Sequence, residues 1–324
     1  MKILLLGAAG FMGRAAAVLL ARRDDVGELI LVDYDIRDAK RLAKALSPKC
    51  RWAMADVGKP LELSRLLEGI DAVANAVGPR AEYEKTVLLS CASRGIAAVT
   101  IGEGTIAAEE RREIDDAFRG AGVPAVAGCG MMPGWTELLA AHFLDAGDGV
   151  GPPQPPVPAT RYLFFSPARF GGYTFLRGVA KGITGAAPVP AGAPAGYYFG
   201  MPDGSRIGVP PGKTGTRMGR IVSTGGKLGA VGKEFSAALL LWTRGWMPEP
   251  GGTPVAVAGV AAGDRFARVE DPRGDLGAAL LAETAVRLAA RPRKATGLLP
   301  LPEWIGRREA EELAVRNGAR IVAG

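Results

Sequence analysis

A glycine-rich turn near the N-terminus constrains the fold most strongly, because it stands between a strand-length apolar run and a helical pattern. The run Lys2–Leu6 precedes Gly7-Ala-Ala-Gly10-Phe-Met-Gly13, and a second apolar run ends twenty residues later at Asp33. The order of strand, glycine turn, helix, strand and acid is typical of a dinucleotide-binding βαβ unit. The spacing GxxGxxG is one residue longer than the common GxGxxG. The structural alternative is a turn that only packs a helix on a strand.

Each part of this unit has a chemical role. Glycines let the backbone approach a pyrophosphate, and the helix N-terminus offers N–H groups and a positive dipole end. Asp33 is expected to accept the ribose hydroxyls and to repel the 2′-phosphate of NADP, so NAD is favoured. Arg37 is a candidate for binding a 2′-phosphate, and NADP therefore stays possible. The expected cofactor contacts of the loop are Gly7, Gly10, Phe11, Met12 and Gly13.

The first 128 residues alternate short apolar runs with helical patterns. Strands are predicted at 2–6, 29–33, 51–54, 71–75, 96–100 and 123–127, and helices at 11–23, 37–46, 60–68, 81–94 and 106–119. Such alternation predicts parallel strands with right-handed crossovers. The expected fold class is α/β, with an N-terminal Rossmann domain built on a doubly wound parallel sheet. Ligands are then expected at the carboxyl ends of the strands.

The composition changes near residue 147, where a proline-rich segment begins that cannot form a helix. Strand-like, turn-rich sequence follows, including an Asp-Gly hairpin at 197–209 and a strand pair at 253–260 and 264–270. Helices are predicted at 277–290 and 306–317, and a last strand at 319–322. We therefore expect a cofactor domain at 1–128 and a mixed α+β substrate domain at 129–273. The segment 274–324 is expected to return to the first domain.

Polar residues follow the third and fourth predicted strands. Asp56 and Val57 are expected to contact the adenine, although Asp56 would also suit a helix cap. Asn75, Val77 and Gly78 close the fourth strand and are expected to line the nicotinamide ribose. An ordinary turn at the end of the strand is the alternative.

Proton handling has two candidates near these strand ends. Glu103 closes the fifth strand, where a carboxylate would act as acid or base, or bind a substrate amine. A surface glutamate before a helix is the competing interpretation. Tyr83, in the helix after the fourth strand, is the second candidate.

A second glycine loop, residues 128–134, leads from the sixth strand into a helix. Met132, Pro133 and Gly134 are expected to contact the substrate, whose carboxylate would meet the helix N-terminus. Trp135 either forms a wall of the pocket or packs in the core.

The charge distribution points to an anionic small molecule. The net charge is +7, and residues 151–235 contain ten Lys or Arg against two acids. Arg169 and Arg220 are the expected carboxylate ligands, because Arg binds carboxylates bidentately. A solvated basic face is the alternative. Nucleic acid is disfavoured, since the cations are not clustered or interleaved with aromatic residues.

Other sequence features limit the protein class. Three cysteines, at 50, 91 and 129, have no metal-ligand spacing, and with one histidine no metal site is expected. No apolar stretch approaches the roughly 20 residues that span a bilayer. We expect a cytoplasmic protein that is not membrane-bound and forms a homo-oligomer.

Four motifs in order resemble the saccharopine-dehydrogenase-like oxidoreductases, which include saccharopine reductases and lysine ε-dehydrogenases. They are Gly7–Arg14, Asn75-Ala-Val-Gly-Pro79, the loop ending in Met132-Pro133-Gly134, and Gly297-Leu-Leu-Pro-Leu-Pro-Glu303. The resemblance implies a Rossmann domain, a mixed substrate domain and chemistry at a C–N bond. It covers 1–145 well and 275–324 loosely.

The sequence therefore predicts an NAD(P)-dependent dehydrogenase that acts on an amino acid or imine. One alternative is an enoyl or carbonyl reductase of the same fold. The other is a protein that senses NAD(P) without catalysis.

Overall fold

The computed structural model describes residues 1–102, 107–144, 159–167, 169–211, 238, 254–290 and 295–324. The chain divides into two compact units. The first contains residues 1–134 and 277–305, and the second contains 135–276 and 306–324. The first boundary lies six residues beyond the predicted one, after the second glycine loop rather than before it.

The first unit contains a seven-stranded parallel sheet with the order β13-β6-β5-β4-β1-β2-β3. Its strands are β1 (Lys2–Leu6), β2 (Glu28–Asp33), β3 (Cys50–Met54), β4 (Ala72–Asn75), β5 (Ala97–Thr100), β6 (Pro124–Ala127) and β13 (Gly297–Leu299). Its helices are α1 (Phe11–Ala21), α2 (Ile36–Leu46), α3 (Pro60–Leu66), α4 (Arg80–Ser93), α5 (Ala108–Gly120), α8 (Leu276–Ala290) and α9 (Leu301–Trp304). The first residue of α8, Leu276, is assigned to the second unit, and the rest of the helix to the first.

The α/β class and the doubly wound parallel sheet are thereby confirmed. The central strands β4 and β5 are buried along their whole length, as expected for strands covered on both faces. Strand β1 lies between β4 and β2, and the chain builds the sheet outward from β1 first in one direction and then in the other. The crevice at the carboxyl ends of β1 and β4 is where such sheets bind ligands.

The second unit contains a mixed seven-stranded sheet with the order β14-β12-β11-β7-β10-β9-β8. Its strands are β7 (Thr160–Phe165), β8 (Gly185–Ala187), β9 (Tyr197–Gly200), β10 (Arg206–Val209), β11 (Ala256–Ala262), β12 (Arg265–Asp271) and β14 (Arg320–Ala323). Its helices include α6 (Trp135–His142), α7 (Tyr173–Gly182) and α10 (Arg307–Arg316). The predicted hairpin is present as β9 and β10, and Gly204 between them has a φ of +80°.

The C-terminal segment divides between the two units instead of returning entirely to the first. Strand β13 extends the parallel sheet beside β6, and α9 follows it in the same unit. Helix α10 and β14 belong to the second unit, where β14 pairs antiparallel with β12. The free edge of β12 supplies the backbone hydrogen bonds that β14 needs, and this pairing decides the assignment.

No helix in the described part of the chain is both long enough and apolar enough to cross a membrane.

Candidate functional site

The glycine loop between β1 and α1 is tightly folded. Gly7 has a φ of +73°, a conformation that glycine adopts without strain. Gly10 N donates to Gly7 O at 3.1 Å, and Ala8 N donates to Val32 O at 3.1 Å. A Cβ on Gly13 would lie 1.9 Å from Gly7 O, so the start of α1 lies directly against the loop.

Gly10 differs from Gly7 and Gly13, because no contact among the described residues requires a glycine at this position. Its φ and ψ of −71° and 170° suit any residue. Of the atoms in the described part of the chain, a Cβ built there would meet only Gly7 O within 4 Å, at 3.3 Å. Glycine at an exposed position with allowed dihedrals is consistent with close approach by a ligand. The N-cap position of α1 therefore fits a pyrophosphate.

Asp33, the last residue of β2, is joined to the glycine loop. Its Oδ2 accepts a hydrogen bond from Ala9 N at 2.8 Å, and its Oδ1 accepts one from Asp35 N at 3.1 Å. Each carboxylate oxygen has two acceptor sites, so each keeps one for a ribose hydroxyl. The structure thus orients the carboxylate beside the loop, as a ribose-binding acid requires.

Phe11 and Met12 open α1 and are both half-buried. A Cβ on Gly277, in the first turn of α8, would lie 2.8 Å from Met12 Cε. Met12 therefore packs against α8 within the first unit.

Exposed apolar side chains lie at the carboxyl ends of β2 and β3 and in the first turn of α3. Tyr34 is 79 % exposed, Leu61 80 % and Met54 58 %. Between them, Asp56 is half-buried and accepts a hydrogen bond from Gly58 N at 3.0 Å. Lys59 Nζ lies 3.7 Å from the Asp56 carboxylate.

Val57, beside Asp56, is buried in the main core of the unit. This edge of the sheet combines an apolar surface with carboxylates, which suits an adenosine. The structure places Asp56 in its own turn, and the adenine contact stays a prediction.

Asn75 shapes the turn after β4. Its side chain is fully buried, its Oδ1 accepts from Val77 N at 3.1 Å, and its Nδ2 lies 3.5 Å from Thr100 Oγ1. Thr100 Oγ1 also accepts from Gly102 N at 3.4 Å. These contacts join the ends of β4 and β5. Val77 and Gly78 lie in the same turn, where the nicotinamide half of a dinucleotide is expected.

The structure describes one of the two proton-handling candidates, Tyr83, whose catalytic role stays a prediction. The ring of Tyr83 lies 3.4 Å from a Cβ built on Gly58, in the turn after β3. In the frame of a bound dinucleotide, that turn is on the adenosine side. Burial and the neighbouring Glu82 raise the pKa of Tyr83. Glu103 lies outside the described residues.

The second glycine loop folds on itself. Gly130 N donates to Pro133 O at 3.0 Å, and Cys129 N donates to Thr100 O at 2.8 Å. Gly134 has a φ of +130°, and a Cβ on it would lie 2.1 Å from Gly130 O. The loop therefore holds Met132 and Pro133 in a fixed turn next to the ends of β5 and β6.

Trp135 has a packing role in this structure. It is fully buried, and its Nε1 donates to Leu276 O at 3.2 Å within the second unit. Of the two sequence interpretations, the structure matches the core residue rather than the pocket wall.

The basic residues of the second unit are only partly described. Arg169 is exposed in the turn after β7, and Arg220 lies outside the described residues. Arg161 forms an ion pair with Glu137 at 2.8 Å. The carboxylate-binding role of Arg169 and Arg220 remains a prediction.

Within the described ranges, no group of three or more His, Cys, Asp or Glu is placed to hold a metal ion. The three cysteines, Cys50, Cys91 and Cys129, are free and buried. Burial raises the pKa of the Cys91 thiol to about 12, and burial likewise raises that of Cys129 to about 12.

Sequence reasoning missed three charged residues of the first unit. Glu84 on α4 is 1 % exposed, and its Oε1 is 3.5 Å from a Cβ built on Gly102. No spacing in the sequence marks it. Arg14 and Asp38 form an ion pair next to the glycine loop. Their only sequence signals are that Arg14 follows the last loop glycine and that Asp38 lies five residues after Asp33.

Comparisons with known proteins support a dinucleotide-binding site in the first unit. Residues 3–126 match the family model described as the saccharopine dehydrogenase NADP binding domain. The chain is also similar to the apo histidine-tagged saccharopine dehydrogenase (L-Glu forming) from Saccharomyces cerevisiae, with a TM-score of 0.62 and 13 % identity. That match covers 100 % of this chain and 99 % of the yeast chain, so the two share their fold.

Shorter matches cover only part of the chain. The Citrobacter sp. triphenylmethane reductase complexed with NADP(H) matches 39 % of this chain and 48 % of its own, with 16 % identity and a TM-score of 0.32. A putative short-chain oxidoreductase from Thermus thermophilus matches 31 % and 57 %, with 24 % identity and a TM-score of 0.25. TM-scores this low do not establish a shared fold. The domain match shows that residues 3–126 form a nicotinamide-dinucleotide-binding domain of the saccharopine dehydrogenase type, and the chain is an NAD(P)-dependent oxidoreductase that shares the fold of the yeast protein.

Proposed function

We propose that this protein is a dehydrogenase acting on the C–N bond of an amino acid or of the corresponding imine. The observation that carries the proposal is the likeness to a saccharopine dehydrogenase over the whole chain, including the second unit. The yeast protein is named as an L-Glu-forming enzyme, and an amino-acid substrate for this chain is consistent with that. The second glycine loop, beside the ends of β5 and β6, is an additional support.

The preferred cofactor in this proposal is NAD. The family model is named for NADP, and both dinucleotides contain the ribose and pyrophosphate that the described residues fit. One carboxylate oxygen of Asp33 accepts from Ala9 N and the other from Asp35 N, and a 2′-phosphate would add negative charge beside them. We therefore expect NAD to bind more tightly than NADP.

In this mechanism the protein's own residues bind the cofactor and the substrate and orient them relative to each other. When bound, the cofactor would accept the hydride from the substrate carbon or return it. The glycine loop would hold the pyrophosphate at the N-terminus of α1, and Asp33 would hold the adenosine ribose. The turn of Asn75 and Thr100 would support the nicotinamide half. Glu103 is our proposed proton acceptor from the substrate amine.

The substrate carboxylate is assigned to the basic second unit. Arg169 and Arg220 are the proposed ligands, because a planar guanidinium binds a carboxylate through two hydrogen bonds. The loop containing Met132, Pro133 and Gly134 is proposed to contact the substrate next to the reacting carbon.

A substrate screen tests the reaction class. The full-length protein is incubated with NAD⁺ or NADP⁺ and each of a panel of amino acids at alkaline pH, and formation of NADH or NADPH is followed by absorbance. Reduction of the cofactor in the presence of one amino acid, or of a small related group of amino acids, supports the proposal. Oxidation of NADH or NADPH by an enoyl or carbonyl compound, with no activity on amines, would replace C–N chemistry with another reductase reaction. Tight cofactor binding without turnover in either panel would favour a sensor.

We further propose a small carboxylate-bearing substrate, a homo-oligomeric assembly and a cytoplasmic location. Light scattering on the purified protein tests the assembly. Titration with duplex DNA at low and high salt tests the absence of nucleic-acid binding, for which a steep salt dependence would be the contrary result.

A further inference from the structure

A charged cluster surrounds the tip of the glycine loop. Side chains bind both backbone polar groups of Ala9: its N–H donates to Asp33, and its carbonyl accepts from Arg14 Nε at 2.6 Å. The other end of the Arg14 guanidinium donates to Asp38 Oδ2 on α2, also at 2.6 Å. Arg14 therefore lies between the loop and α2, beside the acid that is assigned to the adenosine ribose.

Helix α2 adds more charge to this cluster. Asp38 Oδ1 accepts a hydrogen bond from Arg41 at 2.8 Å, so one carboxylate holds two arginines. Arg37 Nε is 3.8 Å from Asp35, whose carboxylate also caps α2. Each of the three arginines, Arg14, Arg37 and Arg41, is thus within ion-pair distance of an aspartate.

We propose that Asp38 is a specificity-determining residue, which keeps NADP out by occupying the arginines that would otherwise bind its 2′-phosphate. This inference rests on two parts of the proposed function: that a dinucleotide binds at the glycine loop with its ribose on Asp33, and that NAD binds more tightly than NADP. A phosphate at the 2′ position would compete with Asp38 for Arg14 and Arg41. Discrimination against NADP therefore has two sources: repulsion by Asp33 and occupation of these cations by Asp38.

The ion pairs are accessible enough for this competition. The side chains of Asp38 and Arg14 are 33 % and 40 % exposed, and that of Arg41 is 71 % exposed. Partly exposed pairs contribute little to stability, so removing the Asp38 charge should release the arginines without unfolding the domain. Arg14 would still donate to Ala9 O, which keeps the loop in place.

The test is a comparison of cofactor affinities in the full-length protein. Binding of NAD, NADP, ADP-ribose and 2′-phospho-ADP-ribose is measured by calorimetry for the wild type and for Asp38→Asn. We expect the variant to bind NADP and 2′-phospho-ADP-ribose about tenfold more tightly, because charge-assisted hydrogen bonds to a phosphate replace those to Asp38. Affinity for NAD and ADP-ribose should change less than about twofold. Adding Arg41→Ala to the variant should remove part of the gain.

Asp25→Asn is the matched control, because it removes the same charge from an ion pair of the same unit. Asp25 pairs with Arg23 just after the C-terminal end of α1, away from the glycine loop. This control should leave the NADP-to-NAD affinity ratio unchanged. Asp38→Ser serves as a second variant if Asp38→Asn unfolds at a lower temperature than the wild type.

The outcomes separate this inference from the proposed function. An unchanged ratio of NADP to NAD affinity in both Asp38 variants, with dinucleotide binding intact, overturns the role of Asp38. A wild type that already binds NADP more tightly than NAD also overturns it. Failure of the wild type to bind any of the four ligands would instead contradict the cofactor site itself.

Discussion

One carbon added to each of two loop glycines should have opposite consequences. A Cβ on Gly13 would lie 1.9 Å from Gly7 O, 2.7 Å from Gly7 C and 2.9 Å from Ala8 Cα. All three are backbone atoms, so no side chain can rotate away and the loop or α1 must shift. A Cβ on Gly10 would lie 3.3 Å from Gly7 O and meet no other atom of the described residues within 4 Å. Gly13→Ala should therefore damage the fold, and Gly10→Ala should not.

The expected magnitudes follow from these contacts. Overpacking of this kind costs about 1–3 kcal/mol and sometimes more, while alanine gains about 1 kcal/mol over glycine in a helix. A contact of 1.9 Å favours the upper end of the range, so Gly13→Ala should lower the free energy of unfolding by about 2 kcal/mol. Gly10→Ala, at the N-cap, should lower it by less than about 1 kcal/mol. Gly10→Val should likewise stay folded, because its dihedrals suit a branched residue, but it should lose cofactor binding.

Urea unfolding of the three variants measures stability, and calorimetric titration with NAD and NADP measures binding. Gly10→Val tests the cofactor site more directly than Gly13→Ala, because this variant should stay folded. Loss of cofactor affinity in a folded variant indicates that the added side chain blocks the pyrophosphate. Undiminished affinity in that variant would place the pyrophosphate elsewhere. A Gly13→Ala protein as stable as the wild type would show that the loop accommodates a side chain, against the backbone contacts described above.

Further predictions concern other parts of the molecule. Asp33→Ala should weaken NAD binding by about 1–3 kcal/mol and shift preference toward NADP, because the ribose hydroxyls lose a charged acceptor, the Asp33 carboxylate. Tighter binding of NADP than of NAD by the wild type would contradict this prediction. Arg169→Ala and Arg220→Ala should each raise KM for the substrate with NAD affinity nearly unchanged, and full activity in both would remove the carboxylate-binding role. Asp271→Ala should destabilise the second unit by about 3 kcal/mol, because the buried carboxylate accepts three backbone N–H groups, and urea unfolding measures this. Finally, the three buried cysteines should not react with Ellman's reagent at neutral pH until urea unfolds the protein. Burial raises the pKa values of these thiols and also excludes the reagent. A fast-reacting thiol in the native protein would contradict the structure.

The pH dependence of stability follows from Asp271. Burial raises the pKa of this carboxyl above its ordinary value, although hydrogen bonds from Leu276 N, Arg273 N and Gly274 N oppose the shift. Because the folded-state pKa is the higher one, this group adds stability below its unfolded pKa. That contribution is lost as the pH rises through the folded pKa. Urea unfolding at a series of pH values measures the loss, and the same series on Asp271→Asn should lack this component.

Local sequence patterns predicted most of the fold because its elements are regular and strongly apolar. Strands β1 to β6 and helices α1 to α5 correspond to predicted segments, with bounds that differ by a few residues. Strand β13 was missed, since three residues have no periodicity of their own. It forms because Gly297 N donates to Val123 O and Leu298 N donates to Asp115 on α5. Helix α7 was also missed, in a stretch whose glycines and aromatic residues are typical of turns and strands.

The sequence alone determined the αβ alternation, the glycine loop and the acid after β2, because these depend on residues close together in the chain and on the backbone freedom of glycine. Tertiary structure decided which sheet each C-terminal strand joins, since β14 was predicted as a strand but its partner is β12. It also decided that Trp135 packs in the core and that Arg14 and Asp38 meet beside the loop. These facts depend on residues brought together from distant positions, and no spacing along the chain records such distances.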